Sequence, residues 1–195
     1  LYQQQPHILK SCGKAYTDMD VQVVDNADHP APNGFSGEIR VRGRGLTIGY
    51  WQKPLVTREV FRNGWFYTGD IGRVDEKGFM YVVGRKKDVI ITGAENVFPA
   101  ELENVLHAHP EIQEAAVIGL DNAKWGEIVT AFVVPRPHTR PSSQALMTFC
   151  REHIAGYKIP KKIFFIENLP ISPTGKLMKH KLKEQYNSES IFNIS

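Results

Sequence analysis

Residues 84–103 read GRKKDVIITGAENVFPAELE, and they separate two kinds of sequence. Before them lie the short alternating runs and Gly/Pro punctuation of antiparallel β structure; after them, helical and strand periodicities take turns. Within the stretch, Arg85, Lys86 and Lys87 form a run of three cations closed by Asp88. The β-branched run Val89-Ile90-Ile91 predicts a short buried strand. Thr92-Gly93-Ala94 predicts a turn in which glycine permits positive φ and close approach of a ligand or another backbone. Pro99 suits the first turn of a helix, Glu101 and Glu103 favour its positive end, and Leu102, Val105 and Leu106 supply an apolar stripe before Pro110 stops it. Three cations at such a joint suit an anionic ligand, although charge runs taken alone more often mark a solvated turn.

Working upstream, residues 1–12 show little pattern and predict an irregular lead-in. Residues 21–24 and 38–42 predict strands, separated by a Pro/Asn/Gly-rich loop over 28–37. Gly43, Gly45 and Gly49 lack the GxGxxG spacing and open no helix, so bulges or tight turns are their expected use. One helical turn is expected over 57–61 after Pro54, with Asn63-Gly64 as its stop. Trp65-Phe66-Tyr67 predicts a strand into Thr68-Gly69-Asp70, with Asp70 at the strand end. Residues 71–74 and 79–83 predict a hairpin with Gly78 in the left-handed position.

Downstream, the helix over 99–109 is followed by predicted strands over 115–120 and 128–134 and a Pro-rich loop over 135–141. Ser142 or Ser143 can cap a helix carrying Leu146, Phe149, Cys150 and Ile154 at helical spacing, ended by Gly156. A strand over 162–167, a loop over 170–176 and a short basic helix to about residue 184 complete the pattern. The fold class expected is α+β: a distorted antiparallel barrel or sheet over 1–84, a joint over 85–88, a small α+β domain over 89–186 and a tail over 187–195.

Composition narrows the function. At 42% hydrophobic content the chain can build a core. A net charge of +3 from 24 basic and 21 acidic residues argues against a dedicated nucleic-acid binder. Apolar runs such as 128–134 are far shorter than the roughly 20 residues of a membrane span. LYQQQPHILK at the start has no continuous apolar run and does not resemble a signal peptide, and a cytoplasmic location is expected. Cys12 and Cys150 lack partners at metal-binding spacing, so neither a metal site nor a disulfide framework is expected. Leu1 in place of methionine suggests an excised or C-terminal piece.

Three side chains offer chemistry. Asp70, after an aromatic strand and a glycine, can present a carboxylate to a diol at a strand end; alone it would more often be a turn residue. Arg85 carries a planar fork of donors suited to phosphate or ribose, or to a surface ion pair. Lys176 stands in a Pro/Thr/Gly loop as a point charge held away from its own domain, which an ordinary exposed turn lysine would also be.

Tyr67-Thr68-Gly69-Asp70, Gly84-Arg85-Lys86-Lys87-Asp88, Gly93-Ala94-Glu95-Asn96 with Pro99-Ala100-Glu101-Leu102-Glu103, and Pro173-Thr174-Gly175-Lys176 occur in that order. Together they resemble the C-terminal third of the AMP-forming acyl-CoA synthetases, over residues 13–184. These belong to the adenylate-forming superfamily, with luciferases and peptide-synthetase adenylation domains.

The resemblance implies that Asp70 binds the ribose hydroxyls of ATP and that Arg85 contacts ribose and phosphate. It implies a hinge at Lys87, beside Lys86 and Asp88, and makes Lys176 the adenylation lysine. It has Thr92, Gly93, Ala94 and Glu95 line the passage for the pantetheine arm of CoA. ATP, magnesium and CoA are the implied cofactors, and a carboxylic acid is the implied substrate. The small domain is expected to close for acyl-adenylate formation and then rotate for thioester formation. Ile91, where luciferase-like relatives carry lysine, looks more like bacterial fatty-acyl or related carboxylic-acid ligases. Residues 151–184 hold eight Lys/Arg against three Glu, an excess that suits the phosphates of CoA or simply a solvated face.

No GxxxxGK[ST] loop is present, and the family's magnesium-holding Glu segment and acyl pocket would precede Leu1. The piece alone is therefore expected to be inactive without a large N-terminal domain, and uncovered apolar surface could drive self-association. Two other readings are open: an adenylation module that loads a phosphopantetheinyl carrier protein, and a non-catalytic interaction module.

Overall fold

The computed structural model describes residues 6–192, with side chains described for 8–187. The chain forms two compact units that divide between Lys87 and Asp88. Of the expected irregular lead-in, residues 1–5 lie outside the described part and Pro6–Lys10 form a 3₁₀ turn.

The first unit is a five-stranded antiparallel sheet built on one long strand. Its elements are β1 (Met19–Val24), β2 (Gly37–Gly43), α1 (Pro54–Val60), β3 (Phe61–Arg62), β4 (Trp65–Val74) and β5 (Met80–Arg85). β4 pairs with β2 along one edge, while β3 and β5 take successive halves of the other. Val24, Trp65 and Tyr67 are buried together beneath it. The Arg40 and Arg42 guanidinium groups lie 4.6 and 4.4 Å from the Trp65 ring, and Arg62 lies 3.8 Å from Tyr67.

Two local expectations are corrected here. Asn63-Gly64 does not stop a helix: with φ of 51° and 76°, it is the two-residue turn of the β3–β4 hairpin. Phe61 accordingly sits in a strand, its ring 4.9 Å from that of Phe66. Asp70 likewise does not stand at a strand end. β4 runs straight through it with a bulge, Ile39 alone standing between the pairs Arg40↔Tyr67 and Glu38↔Ile71. Gly69 takes φ 71°, which lets the extra residues loop out without breaking the strand. The Asp75–Gly78 hairpin follows its sequence, with Gly78 at φ 81° and the Asp75 carboxylate accepting from Lys77 and Phe79 amides.

The second unit wraps helices around a β8–β9 hairpin. Its elements are β6 (Ile90–Thr92), β7 (Glu95–Val97), α2 (Pro99–Ala108), β8 (Ile112–Asn122), β9 (Gly126–Pro135), α3 (Ser143–His153), β10 (Lys162–Phe165) and α4 (Lys179–Phe192). β10 runs parallel to β9, and β8 antiparallel to it. Residues 115, 117, 129, 131 and 133 face a core shared with Leu102, Leu106, Leu146 and Cys150. Residues 116, 118, 120, 128 and 132 face a second core with Leu182, Phe164 and Tyr186. Burial on both faces explains why these two strands read as continuous apolar runs.

The Ser142 hydroxyl accepts from the Ala145 amide at 3.1 Å, so it and not Ser143 caps α3, which ends at His153 before Gly156 is reached. Val89-Ile90-Ile91 is not buried as a whole: Ile90 is 1% exposed and Ile91 58%. The strand has one covered face, and its partner β7 was not foreseen. The final helix runs past residue 187 to Phe192, where a tail was expected; residues 193–195 lie outside the described part.

Cys150 is wholly buried, and burial pushes its thiol from the ordinary 9.0 up to about 11. The folded state holds the proton more tightly than the unfolded one. This contribution is therefore complete below the unfolded value and is lost as pH rises toward the folded one. Urea unfolding at about pH 8 and about pH 10.5 should show a larger fall in midpoint for the wild type than for Cys150→Ala. Equal falls would contradict it.

Candidate functional site

In the first unit β4 and β5 bring Asp70 and Arg85 together. The two residues are directly paired across β4 and β5. Thr68 Oγ1 donates to the Ile39 carbonyl at 2.9 Å and accepts from the Asp70 amide at 3.0 Å, which pins the loop-out. Arg85 Nε lies 3.0 Å from Asp70 Oδ1, and its Nη1 donates to the Thr68 carbonyl at 3.3 Å. Both side chains keep exposed surface, 57% for Arg85 and 29% for Asp70. A carboxylate and a guanidinium thus share one exposed edge, each with hydrogen-bonding capacity left over. Lys86 pairs with Glu38 at 2.7 Å. Lys87 is exposed in the single 3₁₀ turn Lys86–Asp88.

In the second unit Thr92, Gly93, Ala94 and Glu95 form the tight β6–β7 hairpin. Gly93 has φ 64°, and its amide donates to the Trp125 carbonyl at 2.8 Å. The torsion favours glycine, and a Cβ at this position would come within 3.3 Å of the Trp125 ring, which would have to give by a few tenths of an ångström. Ala94 and Glu95 are exposed.

Lys176 stands exposed on the loop between Ile171 and Leu177, which bridge to each other. Ser172 exchanges backbone bonds with the loop, its amide donating to the Lys176 carbonyl at 2.8 Å and its hydroxyl accepting from the Lys176 amide at 3.1 Å. Gly175 at φ 79° closes the turn. The backbone of Lys176 is therefore fixed while its ammonium is free to reach outward.

Two further features escaped the sequence reading. One is a cavity of about 360 Å³ lined by Met147, Arg151, Ile154, Ile159, Pro160 and Lys161, apolar residues together with two cations. The other is a carboxylate junction at Glu127, joined to Ile91 and Lys183. Burial pulls the Lys183 ammonium down, but Glu127 and Asp121 outweigh it and leave its pKa above the ordinary lysine value. Glu127 carried no motif signal, because an acidic residue beside a turn glycine is ordinary. Among the described residues no group of three or more His, Cys, Asp and Glu could hold a metal ion. No described helix is long and apolar enough to cross a membrane.

Comparison with known proteins bears on the family. Residues 101–176 match the family described as AMP-binding enzyme C-terminal domain. The 2-succinylbenzoate–CoA ligase of Geobacillus kaustophilus is 45% identical over 175 residues, covering 90% of this chain and 36% of that protein. A long-chain-fatty-acid–CoA ligase of Mycobacterium tuberculosis is 44% identical over 178 residues, covering 91% of this chain and 35% of its own length. Among solved structures, o-succinylbenzoate CoA synthetase from Bacillus subtilis, in complex with an acyl-adenylate intermediate, aligns with a TM-score of 0.85 at 36% identity. That alignment covers 93% of this chain and 36% of the synthetase.

The chain belongs to the adenylate-forming enzymes. Within them it corresponds to the C-terminal portion of the acyl-CoA and aryl-CoA ligases, and it spans about a third of the length of the curated relatives it matches.

Proposed function

We propose that this chain is the C-terminal part of an ATP-dependent ligase that activates a carboxylic acid as its acyl-adenylate and passes the acyl group to CoA. The observation that carries the reading is the β4–β5 pairing that sets the Asp70 carboxylate 3.0 Å from Arg85 at an exposed sheet edge. A carboxylate there can accept from both hydroxyls of a ribose diol, and the guanidinium beside it can contact ribose and phosphate. In the first half-reaction a carboxylate oxygen attacks the α-phosphorus of ATP and pyrophosphate leaves. The Lys176 ammonium stabilises the charge that develops on the phosphoryl oxygens. In the second, the CoA thiolate attacks the acyl carbonyl and AMP leaves, with the pantetheine arm passing the Gly93 turn. Arg151 and Lys161 at their cavity suit the phosphates of CoA.

The small unit turns about Lys87 between these steps in our reading, a few backbone torsions absorbing the rotation. Support comes from the position of the boundary between the two compact units, directly after Lys87. We assign the domains accordingly, with 85–88 as hinge, and place the ligase in the cytoplasm. The relatives named above act on an aromatic acid and on long-chain fatty acids; a fatty acid is our narrower proposal. Exposed Ile48, Trp51 and Leu55 in the first unit favour a covering partner domain or self-association.

The test is carboxylate-dependent pyrophosphate release by the full ligase over a panel of fatty and aromatic acids, with free CoA and a phosphopantetheinyl carrier protein as alternative acceptors. Asp70→Ala should raise the KM for ATP at least about tenfold, the cost of a lost charged hydrogen bond. The 195 residues alone should show no turnover. Acyl transfer to the carrier protein only would replace CoA as acceptor. Nucleotide and acid binding both absent from the full protein would leave the interaction-module reading.

A further inference from the structure

Glu127 joins two segments that lie far apart in the sequence. Ile91, on the strand that leads into the Gly93 turn, donates its amide to Glu127 Oε2 at 3.0 Å. Lys183, on the helix that follows the Lys176 loop, donates to Glu127 Oε1 at 2.6 Å. The first bond has a geometric origin. β6 meets β9 at the single pair Thr92↔Gly126, so the next outward amide of β6 finds no strand carbonyl opposite it. A carboxylate oxygen stands in for the absent ladder partner. The second bond anchors α4 one turn after Lys179, which is itself paired with Glu103 at 2.7 Å. Lys183 also faces Asp121 at 3.4 Å, and Asn187 bonds the same Asp121 carboxylate.

The carboxylate lies across the face of Gly119. A Cβ there would come within 2.7 Å of both the carboxyl carbon and Oε2 of Glu127. The absent side chain of Gly119 thus leaves room for the Glu127 carboxylate where it meets both partners.

We infer that Glu127 is a positioning residue that holds the Gly93 turn and the Lys176 loop in fixed relation within the small unit, through the Ile91 amide and the Lys183 ammonium. It touches no reacting atom. Its function rests on the ligase reading above, in which the two loops serve successive half-reactions. One carboxylate with one oxygen for each loop makes the geometry of both depend on the same side chain.

The tie can be tested apart from catalysis. In the 195-residue chain, amide hydrogen exchange at Ile91 and Gly93 should quicken about tenfold in Gly119→Ala and in Lys183→Met, although Lys183 touches neither amide. Exchange at Val117 and Val133 should not change, which separates a lost tie from a damaged core. Unchanged exchange at Ile91 in both variants would overturn the proposal.

Catalysis gives the second readout, in the full ligase. Glu127→Gln keeps an oxygen for the Ile91 amide but offers Lys183 no charge. Acyl-adenylate formation should fall about tenfold, while thioester formation from supplied acyl-adenylate stays within about twofold. Glu127→Ala should slow both. Equal losses in Glu127→Gln would mean that the residue serves only the fold. If the wild type adenylates no acid, the ligase reading fails while the exchange result still judges the tie.

Discussion

Replacing Lys176 by alanine in the full ligase is expected to slow acyl-adenylate formation by about 10²–10³, the cost of one preorganised donor at a developing anion. Thioester formation from supplied acyl-adenylate should keep most of its rate. The asymmetry follows from local structure. The Ser172 bonds and Gly175 fix the loop backbone without using the lysine side chain, so truncation removes charge and leaves the turn in place. Single-turnover measurement of each half-reaction is the check. A loss shared equally by both would show that Lys176 serves binding or stability and not the phosphoryl step.

The second large effect concerns stability. Phe132 is fully buried in β9, its ring centroid 5.3 Å from Phe164 in stacked geometry and 4.7 Å from Tyr186 edge-on. Phe132→Ala should cost about 3–5 kcal/mol, the lost transfer energy plus the cavity between sheet and α4. Phe165→Ala, at a position 41% exposed one residue from Phe164, should stay within about 0.5 kcal/mol. Urea unfolding monitored in the second unit distinguishes the two. A small change at Phe132 would mean that α4 is not held by this cluster. If α4 does loosen, Lys183 leaves Glu127, and Ile91 exchange should rise in the Phe132 variant as well.

Much of the second unit could be read directly. β8, β9, α2 and α3 announce themselves by apolar runs or helical spacing, and Pro99 and Ser142 mark helix starts where the structure has them. The β7 strand stayed hidden because Glu95-Asn96-Val97 has no pattern of its own and becomes a strand by pairing with β6. Asn63-Gly64 was misread because that dipeptide ends helices and closes hairpins alike. Only the strand before it, two residues long, tells which.

Order and residue type in the four motifs identified the family, and they named the candidate residues without their geometry. The placement of Asp70 against Arg85 came from strand register: the β4–β5 pairing sets the two residues directly opposite each other. The junction at Glu127 came from packing, since its partners lie 36 residues upstream and 56 downstream. Local periodicity records which face of a segment is apolar, and so it sets the elements and the class. Which polar atoms end up within 3 Å of one another depends on how sheets diverge and helices dock, and no single segment carries that information.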